Sequence, residues 1–243
     1  MSKRVRNVFD AWTLVRLLGL VLSLGLGGCA QDRVSLADPP AWRHAYPIAE
    51  VQRAQRDQTV RVVVLLEATG PTSARAHDLS GSIEVQNLPA KGPWREQPAR
   101  TWVVEGELQH DAEGRPYLVV KQVVASEALP YGAYLCVHWT CGRWDEERWV
   151  WLGLDGQAFS LDRKRGVRTR WRVAKDEVHR VLDALRRARV RPVGTPDPRG
   201  AMYQFCWWTG KEWRDWEVSS QPDGWIHEIL VTVDAWLQGP PTP

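Results

Sequence analysis

The sequence lacks an apolar run long enough to cross a membrane. Its N-terminal apolar stretch, Leu17–Leu26, is followed closely by Gly27 and Gly28 and contains Gly25. A spanning helix needs ~20 consecutive, predominantly apolar residues. The stretch is too short and too rich in glycine for that, which argues against an ordinary transmembrane anchor in residues 17–28.

The flanks of this stretch predict an export signal instead. Lys3, Arg4, Arg6 and Arg16 precede it, and the tetrad Leu26-Gly27-Gly28-Cys29 follows it. A basic segment, a short apolar segment and small residues at a cleavage point are the layout of a secretory signal peptide. We therefore expect residues 1–28 to be a signal that is removed. Cleavage after a small residue without lipid attachment is the alternative.

The tetrad resembles the lipobox of bacterial lipoproteins. The resemblance implies that Cys29 carries the lipid, palmitate included, and becomes the mature N-terminus. In that family an Asp after the cysteine favours retention at the inner membrane, and Ala30 stands there in this chain. The resemblance thus implies an outer-membrane protein that faces the periplasm, with the membrane bound through the lipid.

Beyond residue 28 the sequence has no excess of charge of either sign. Of 32 basic and 29 acidic residues, four basic and one acidic lie in residues 1–28, which leaves 28 of each. A nucleic-acid-binding protein normally carries a basic patch or stripe. The charge balance therefore predicts no nucleic-acid partner.

Cysteine is scarce, with three residues after Cys29. In an oxidising compartment disulfides are expected, and the short spacing from Cys136 to Cys141 predicts a bridge between them. Cys206 is left over, and its pairing with either of the other two is the alternative. A zinc site at these cysteines with His138 lacks a second ligand pair, so no metal is predicted.

The first half of the mature chain has the pattern of strands. We predict a tether over residues 29–47, which contain Asp38-Pro39-Pro40, and a β-rich domain over 48–126. Its strand candidates are Thr59–Leu66, Ser82–Val85, Thr101–Leu108 and Tyr117–Val123. The order of the last two resembles the closing strands of small OB-type barrels in exported proteins, which implies an OB-like unit.

Residues 128–238 predict a second, α+β unit in which helices pack on an antiparallel sheet, followed by a disordered tail over 239–243. Asp155-Gly156 marks a hairpin turn, and Lys175–Val190 has the apolar spacing of an amphipathic helix. A closing helix over residues 225–237 is also predicted. The order of these elements, with Cys136, Cys141 and Val233-Asp234, resembles an uncharacterised domain family of secreted bacterial proteins and lipoproteins. That family implies no activity.

Phenylalanine and tyrosine are rare, with three and five residues, while tryptophan is abundant, with fifteen. An exposed row of indoles would suit a glycan or a protein partner. The alternative, which we favour, is that they fill the core and cover the sheet. The candidate binding surface comprises Trp149, Trp151, Trp208, Trp213 and Trp216.

No catalytic motif is present. The chain has no G-x-S-x-G segment, and His227-Glu228 lacks the second histidine of a zinc protease helix because position 231 is Val231. We therefore predict no catalytic residue and no cofactor. The expected function is a non-catalytic binding or structural role at the envelope, with a protein or glycan partner. The competing prediction is a hydrolase that acts on envelope glycans or polymers.

Overall fold

The computed structural model describes residues 37–54, 57–142, 145–188, 200–219 and 226–239. All of them belong to one compact unit, Ala37–Pro243. The predictions on the signal peptide, on Cys29 and on residues 30–36 lie outside the described residues. Within the described ranges, no helix is both long and apolar enough to span a membrane.

The first half of this unit is a closed five-stranded barrel in the order β1-β2-β3-β5-β4, with β4 pairing back to β1. The pairing of β3 with β5 is parallel and the others are antiparallel. A short helix, α1 (Ile48–Val51), precedes it. The strands are β1 (Thr59–Ala68), β2 (Ala74–His77), β3 (Ser82–Gln86), β4 (Thr101–His110) and β5 (Pro116–Ala125).

The four predicted strands are present, whereas β2 and α1 were not predicted. β1 reads as an almost continuous apolar run because it is buried on both sides. Val62 and Val64 belong to the barrel core, while Leu65 belongs to a second cluster outside the barrel. Gly106 lies at a bulge in β4, where an added Cβ would stand 2.6 Å from the carbonyl oxygen of Val119. Only glycine permits that close approach of the two strands.

The second half is a six-stranded antiparallel sheet in the order β11-β10-β6-β7-β8-β9. Two longer helices, α2 (Lys175–Arg187) and α3 (Ile226–Leu237), follow β9 and β11. The mixed α+β class predicted from the sequence is confirmed. The strands are β6 (Leu135–Cys141), β7 (Glu146–Leu152), β8 (Gln157–Asp162), β9 (Val167–Arg172), β10 (Ala201–Trp208) and β11 (Trp213–Ser219).

Each side of this sheet contributes to a different buried cluster. On one side, Val137, Val150 and Phe205 share a cluster with apolar residues of α2 and α3. On the other, Trp151 and Phe159 share a cluster with barrel residues. Successive side chains of a strand point to opposite faces, so the strands carry apolar residues at consecutive positions. The helix residues in the first cluster are Val178, Val181, Leu182, Leu185, Ile226, Ile229, Leu230, Val233, Trp236 and Leu237.

A set of polar side chains, here called the interface cluster, joins β9 to the barrel. Arg168 Nη1 lies 2.7 Å from Glu67 Oε1, and Glu67 Oε2 lies 3.1 Å from His77 Nε2. Arg170 Nη2 donates to the carbonyl oxygens of Asp78 at 3.1 Å and Gly81 at 2.6 Å. Hydrogen bonds to a charged group are stronger than neutral ones, so these contacts orient the barrel on the sheet.

The segment predicted as a tether is partly folded. Residues 37–47 lie against the body, because Trp42 is buried and its indole Nε1 donates to the carbonyl oxygen of Leu129 at 3.0 Å. The backbone N–H of Tyr46 also donates to the carbonyl oxygen of Arg61 at 2.8 Å. The prediction of a tether is therefore wrong for residues 37–47, whose apolar side chains find partners on the folded unit.

Gly156→Ala tests the hairpin between β7 and β8. Gly156 has a φ of 83°, and an added Cβ would lie 2.4 Å from the carbonyl oxygen of Val173. The control is Gly114→Ala, which has a φ of 79° and nothing within 4 Å of the added Cβ. A positive φ alone costs roughly 1–2 kcal/mol, so we expect Gly156→Ala to lower the unfolding free energy by about 2 kcal/mol more than the control. Equal losses in urea titrations would contradict this packing.

His77 makes stability depend on pH. Burial lowers the pKa of His77 to about 4, and the nearby Arg170 and Arg168 lower it too, while the hydrogen bond to Glu67 opposes them. Unfolding returns it to the ordinary value of 6.5. The stabilisation is thus complete above pH 6.5 and is lost as the pH falls toward 4, by up to roughly 3 kcal/mol.

The measurement is urea unfolding across this pH range in wild type and in His77→Phe. The His77 ring stacks on Phe159, and phenylalanine keeps a flat ring there but cannot titrate. We expect a smaller pH dependence in His77→Phe, while His227→Phe, at an exposed position of α3, keeps the wild-type dependence. Identical slopes in all three proteins would show that His77 is not the titrating group.

Candidate functional site

The five candidate tryptophans do not form one exposed surface. Trp151 and Trp208 are buried, with 1% and 3% of their surface exposed. Trp216 packs edge-on against Trp207 on the side of the sheet that holds the helix residues, with ring centroids 5.0 Å apart. Trp149 and Trp213 are partly buried on the other side. A single aromatic platform is therefore excluded, because covering both sides of the sheet places most of the indoles in the interior.

Trp213 and Trp208 belong to an aromatic group that holds the N-terminal segment. Their ring centroids are 5.2 Å apart, and Trp42 lies 6.4 Å from Trp213. The indole Nε1 of Trp208 donates to the carbonyl oxygen of Ala37 at 2.7 Å. These rings bind residues of the same chain, which gives them a structural role.

A row of polar side chains crosses the part of the sheet next to Trp149. We call it the polar row: Gln204 on β10, His138 on β6, Glu147 on β7 and Arg163 after β8. His138 Nδ1 lies 3.3 Å from Gln204 Oε1, and His138 Nε2 lies 3.0 Å from Glu147 Oε1. Glu147 Oε2 accepts from Arg163 Nη1 at 2.7 Å. The antiparallel register places these groups side by side on one face.

The polar row is accessible and lies on regular strands. Side-chain exposure is 23% for His138, 26% for Glu147 and 61% for Arg163. The hydrogen bond and charge of Glu147 raise the pKa of the Arg163 guanidinium above its ordinary value. A depression of about 340 Å³, lined by Glu147 and Arg163 together with Asp145 and Lys164, opens beside the row.

Trp149 supports the row from one side. Its indole lies parallel to the imidazole of His138, with centroids 4.6 Å apart and an interplanar angle of 3°. One face of the indole is therefore occupied by a neighbour of the same chain. The stack fixes the orientation of the imidazole. It also leaves at most one face of the Trp149 indole for a ligand.

The imidazole of His138 makes its hydrogen-bond contacts with its two neighbours in the row. Both ring nitrogens of His138 contact oxygens of Gln204 and Glu147. Which ring nitrogen donates depends on the tautomer, and the side-chain amide of Gln204 can present its oxygen or its nitrogen to the ring. Among the described residues, no hydroxyl or thiol shares a hydrogen bond with this ring, as a base-activated nucleophile would.

The predicted disulfide between Cys136 and Cys141 is wrong. Both residues lie in β6, which runs straight through the segment that was expected to turn. At a rise of about 3.3 Å per residue their Cα atoms are about 16 Å apart, whereas a disulfide joins Cα atoms within about 7 Å. They also point to opposite faces of the strand. All three described cysteines, Cys206 included, are free thiols in the structure.

The same geometry bears on the zinc alternative. Cys136 and His138 share one face of β6, and Cys141 is on the other. The described part of the chain contains no group of three or more His, Cys, Asp or Glu side chains that could hold a metal ion. The three residues cannot converge on one ion without breaking the strand.

Comparison with known proteins adds no name to these observations: no protein-family model matches the chain, and no curated protein matches it.

Gln204 and Arg163 were not predicted as site residues. They are 66 and 25 positions from His138 in the numbering, and the pairing of β10 with β6 and of β7 with β8 brings them to it. Glu147 lies in β7 and makes two of the three contacts in the row. No local pattern marks residues that meet only through strand pairing.

Proposed function

We propose that this chain is a lipid-anchored envelope protein with a non-catalytic binding role, attached to the outer membrane through Cys29 and facing the periplasm. The signal layout before Cys29 supports the location. The observation that carries the binding role is the polar row, an accessible set of mutually hydrogen-bonded groups on a regular sheet.

The anchor would hold the folded body close to the bilayer. Seven residues separate Cys29 from Ala37, and the carbonyl oxygen of Ala37 is already bound by Trp208. Even fully extended, this stretch of chain spans no more than about 28 Å. The protein would therefore engage a partner within a few nanometres of the membrane surface, where more than one acyl chain on Cys29 would provide stable attachment.

We infer that the barrel is of the OB type and that α2 and α3 pack on one side of the sheet. The strand order β1-β2-β3-β5-β4 with closure onto β1, and the parallel pairing of β3 with β5, support the first inference. The shared buried cluster of helix and strand residues supports the second. In this architecture the barrel and the helices serve to cover the sheet that carries the polar row.

A glycan fits the polar row better than a protein does. Protein interfaces are centred on an apolar, aromatic core, whereas the row consists of polar side chains, and His138 covers one face of the neighbouring Trp149. Carboxylate, amide and guanidinium groups pair readily with hydroxyl groups. We therefore propose an envelope glycan as the partner.

The anchor is tested by labelling cells that produce the full chain with a palmitate analogue. Wild type in a Gram-negative host should incorporate the label, and its mature form should begin at residue 29. Cys29→Ala should incorporate none, because it has no thiol at the lipobox position. The control Cys206→Ala should be labelled like wild type. Label in Cys29→Ala, or none in wild type, would overturn the proposed anchor.

Binding is tested by co-sedimentation of the full-length protein with purified peptidoglycan. Arg163→Ala should weaken binding about five- to tenfold, since it removes a charged hydrogen-bond donor from the row. The control is Arg165→Ala, on the same turn and 68% exposed, which should bind like wild type. Equal binding by both variants would show that the row is not the contact surface. Release of soluble fragments by wild type would favour the hydrolase.

A further inference from the structure

Two cysteines face each other across neighbouring strands. In the register of β10 with β6, Cys206 is directly opposite Cys136, and the pairs on either side, Phe205 with Val137 and Trp207 with Leu135, continue without a shift. Directly opposed residues in an antiparallel pair point to the same face of the sheet. Both thiols therefore lie on the side of the sheet that faces the barrel, in or against its buried cluster.

The spacing of this pair suits a disulfide. The backbone N–H of Trp208 donates to the carbonyl oxygen of Tyr134 at 2.9 Å, so these two residues form a hydrogen-bonded pair. Pairs alternate along an antiparallel ladder, which makes Cys206 and Cys136, two positions further along, a hydrogen-bonded pair as well. The Cα atoms of such pairs are about 5.5 Å apart, close to the commonest spacing in disulfides, about 5.5–6 Å. Their Cβ atoms are about 5.5 Å apart and must approach to about 4 Å, which a small local shift of the two strands allows.

Cys141 has no comparable partner. It lies opposite Ala201 on β10 and opposite Glu146 on β7, and it points to the other side of the sheet from Cys136. The register thus resolves the choice that the sequence left open, since of the three described cysteines only Cys136 and Cys206 lie directly opposite each other on one face of the sheet.

We propose that Cys136 and Cys206 form a disulfide in the exported protein, and that Cys141 remains a free, buried thiol. The inference rests on the proposed location, because the periplasm is oxidising. The bond would join β6 to β10 and close a loop of about 70 residues that contains β7, β8, β9 and α2.

The oxidant is an exchangeable disulfide, such as that of an exported dithiol oxidase or oxidised glutathione. The thiolate of Cys206, the more accessible of the two, attacks one sulfur of the oxidant and releases the other as a thiol. The thiolate of Cys136 then attacks Sγ of Cys206, and the second oxidant thiol leaves. The two protons lost by the cysteines end on the two oxidant thiols, the two cysteines lose two electrons, and the oxidant disulfide gains them.

Burial makes this exchange slow once the protein has folded. It raises the pKa of the Cys206 thiol to about 12 and that of the Cys136 thiol well above its ordinary value. Since the thiolate is the reacting form, the bond is expected to form before the barrel covers this face. Once formed, it should resist reduction in the folded protein.

The test maps the cysteines of the full chain in two preparations. One is recovered from the envelope of a Gram-negative host. The other is Cys29→Ala, refolded with a mixture of reduced and oxidised glutathione. Free thiols are blocked with N-ethylmaleimide, and the protein is digested without reduction. Chymotrypsin cleaves after Trp139 and so separates Cys136 from Cys141. We expect a peptide pair joined through Cys136 and Cys206, with Cys141 blocked.

Thermal unfolding provides the second readout, with matched variants. Reduction should lower the unfolding midpoint of Cys29→Ala by roughly 10 °C. Adding Cys141→Ala should leave this shift unchanged, whereas adding Cys206→Ala should abolish it.

The cross-linked peptide in both preparations supports the proposal. If the cross-linked peptide is found only in the refolded protein, the result supports the pairing of Cys136 with Cys206 and overturns the periplasmic location. Its absence from both, or a bridge that includes Cys141, overturns the disulfide.

Discussion

The structure depends on a six-stranded sheet that has buried apolar residues on both of its sides. Helix residues share a buried cluster with one side and barrel residues with the other. A sheet covered on both sides needs apolar residues at consecutive positions, because neighbouring side chains point in opposite directions. Val150, Trp151 and Leu152 in β7 and Trp207 and Trp208 in β10 meet that need. The abundance of tryptophan follows from the volume that these two interior layers must fill.

The same covering makes one unit of what the sequence presents as two halves. Glu67 and His77 in the barrel reach Arg168 and Arg170 on β9, and His77 stacks on Phe159 of β8, with ring centroids 5.4 Å apart. Charged groups at an interface set orientation more than they add affinity. The apolar cluster therefore holds the barrel to the sheet, and the interface cluster determines how it sits. Beside Trp149 the sheet carries the accessible polar row.

Much of the local structure could be predicted from the sequence, and little of the site could. The spacing of Val178, Val181, Leu182 and Leu185 predicted α2, and Asp155-Gly156 predicted the hairpin from β7 to β8. Such patterns arise from neighbours within a few residues. The pairing of Cys136 with Cys206 and the contacts of His138 with Gln204 and Glu147 depend on strand register, which local sequence does not encode. The disulfide prediction was wrong because a turn was expected where β6 continues.

The sequence by itself determined the mixed class, most of the strands, the two amphipathic helices and the expectation of an exported chain anchored at Cys29. These depend on side-chain periodicity and on a linear signal, both of which are local. Only the tertiary structure decided which tryptophans are buried, which cysteines face each other and which polar groups form a row. Each of those outcomes depends on which strands pair and on what covers them, and these are properties of residues far apart in the chain.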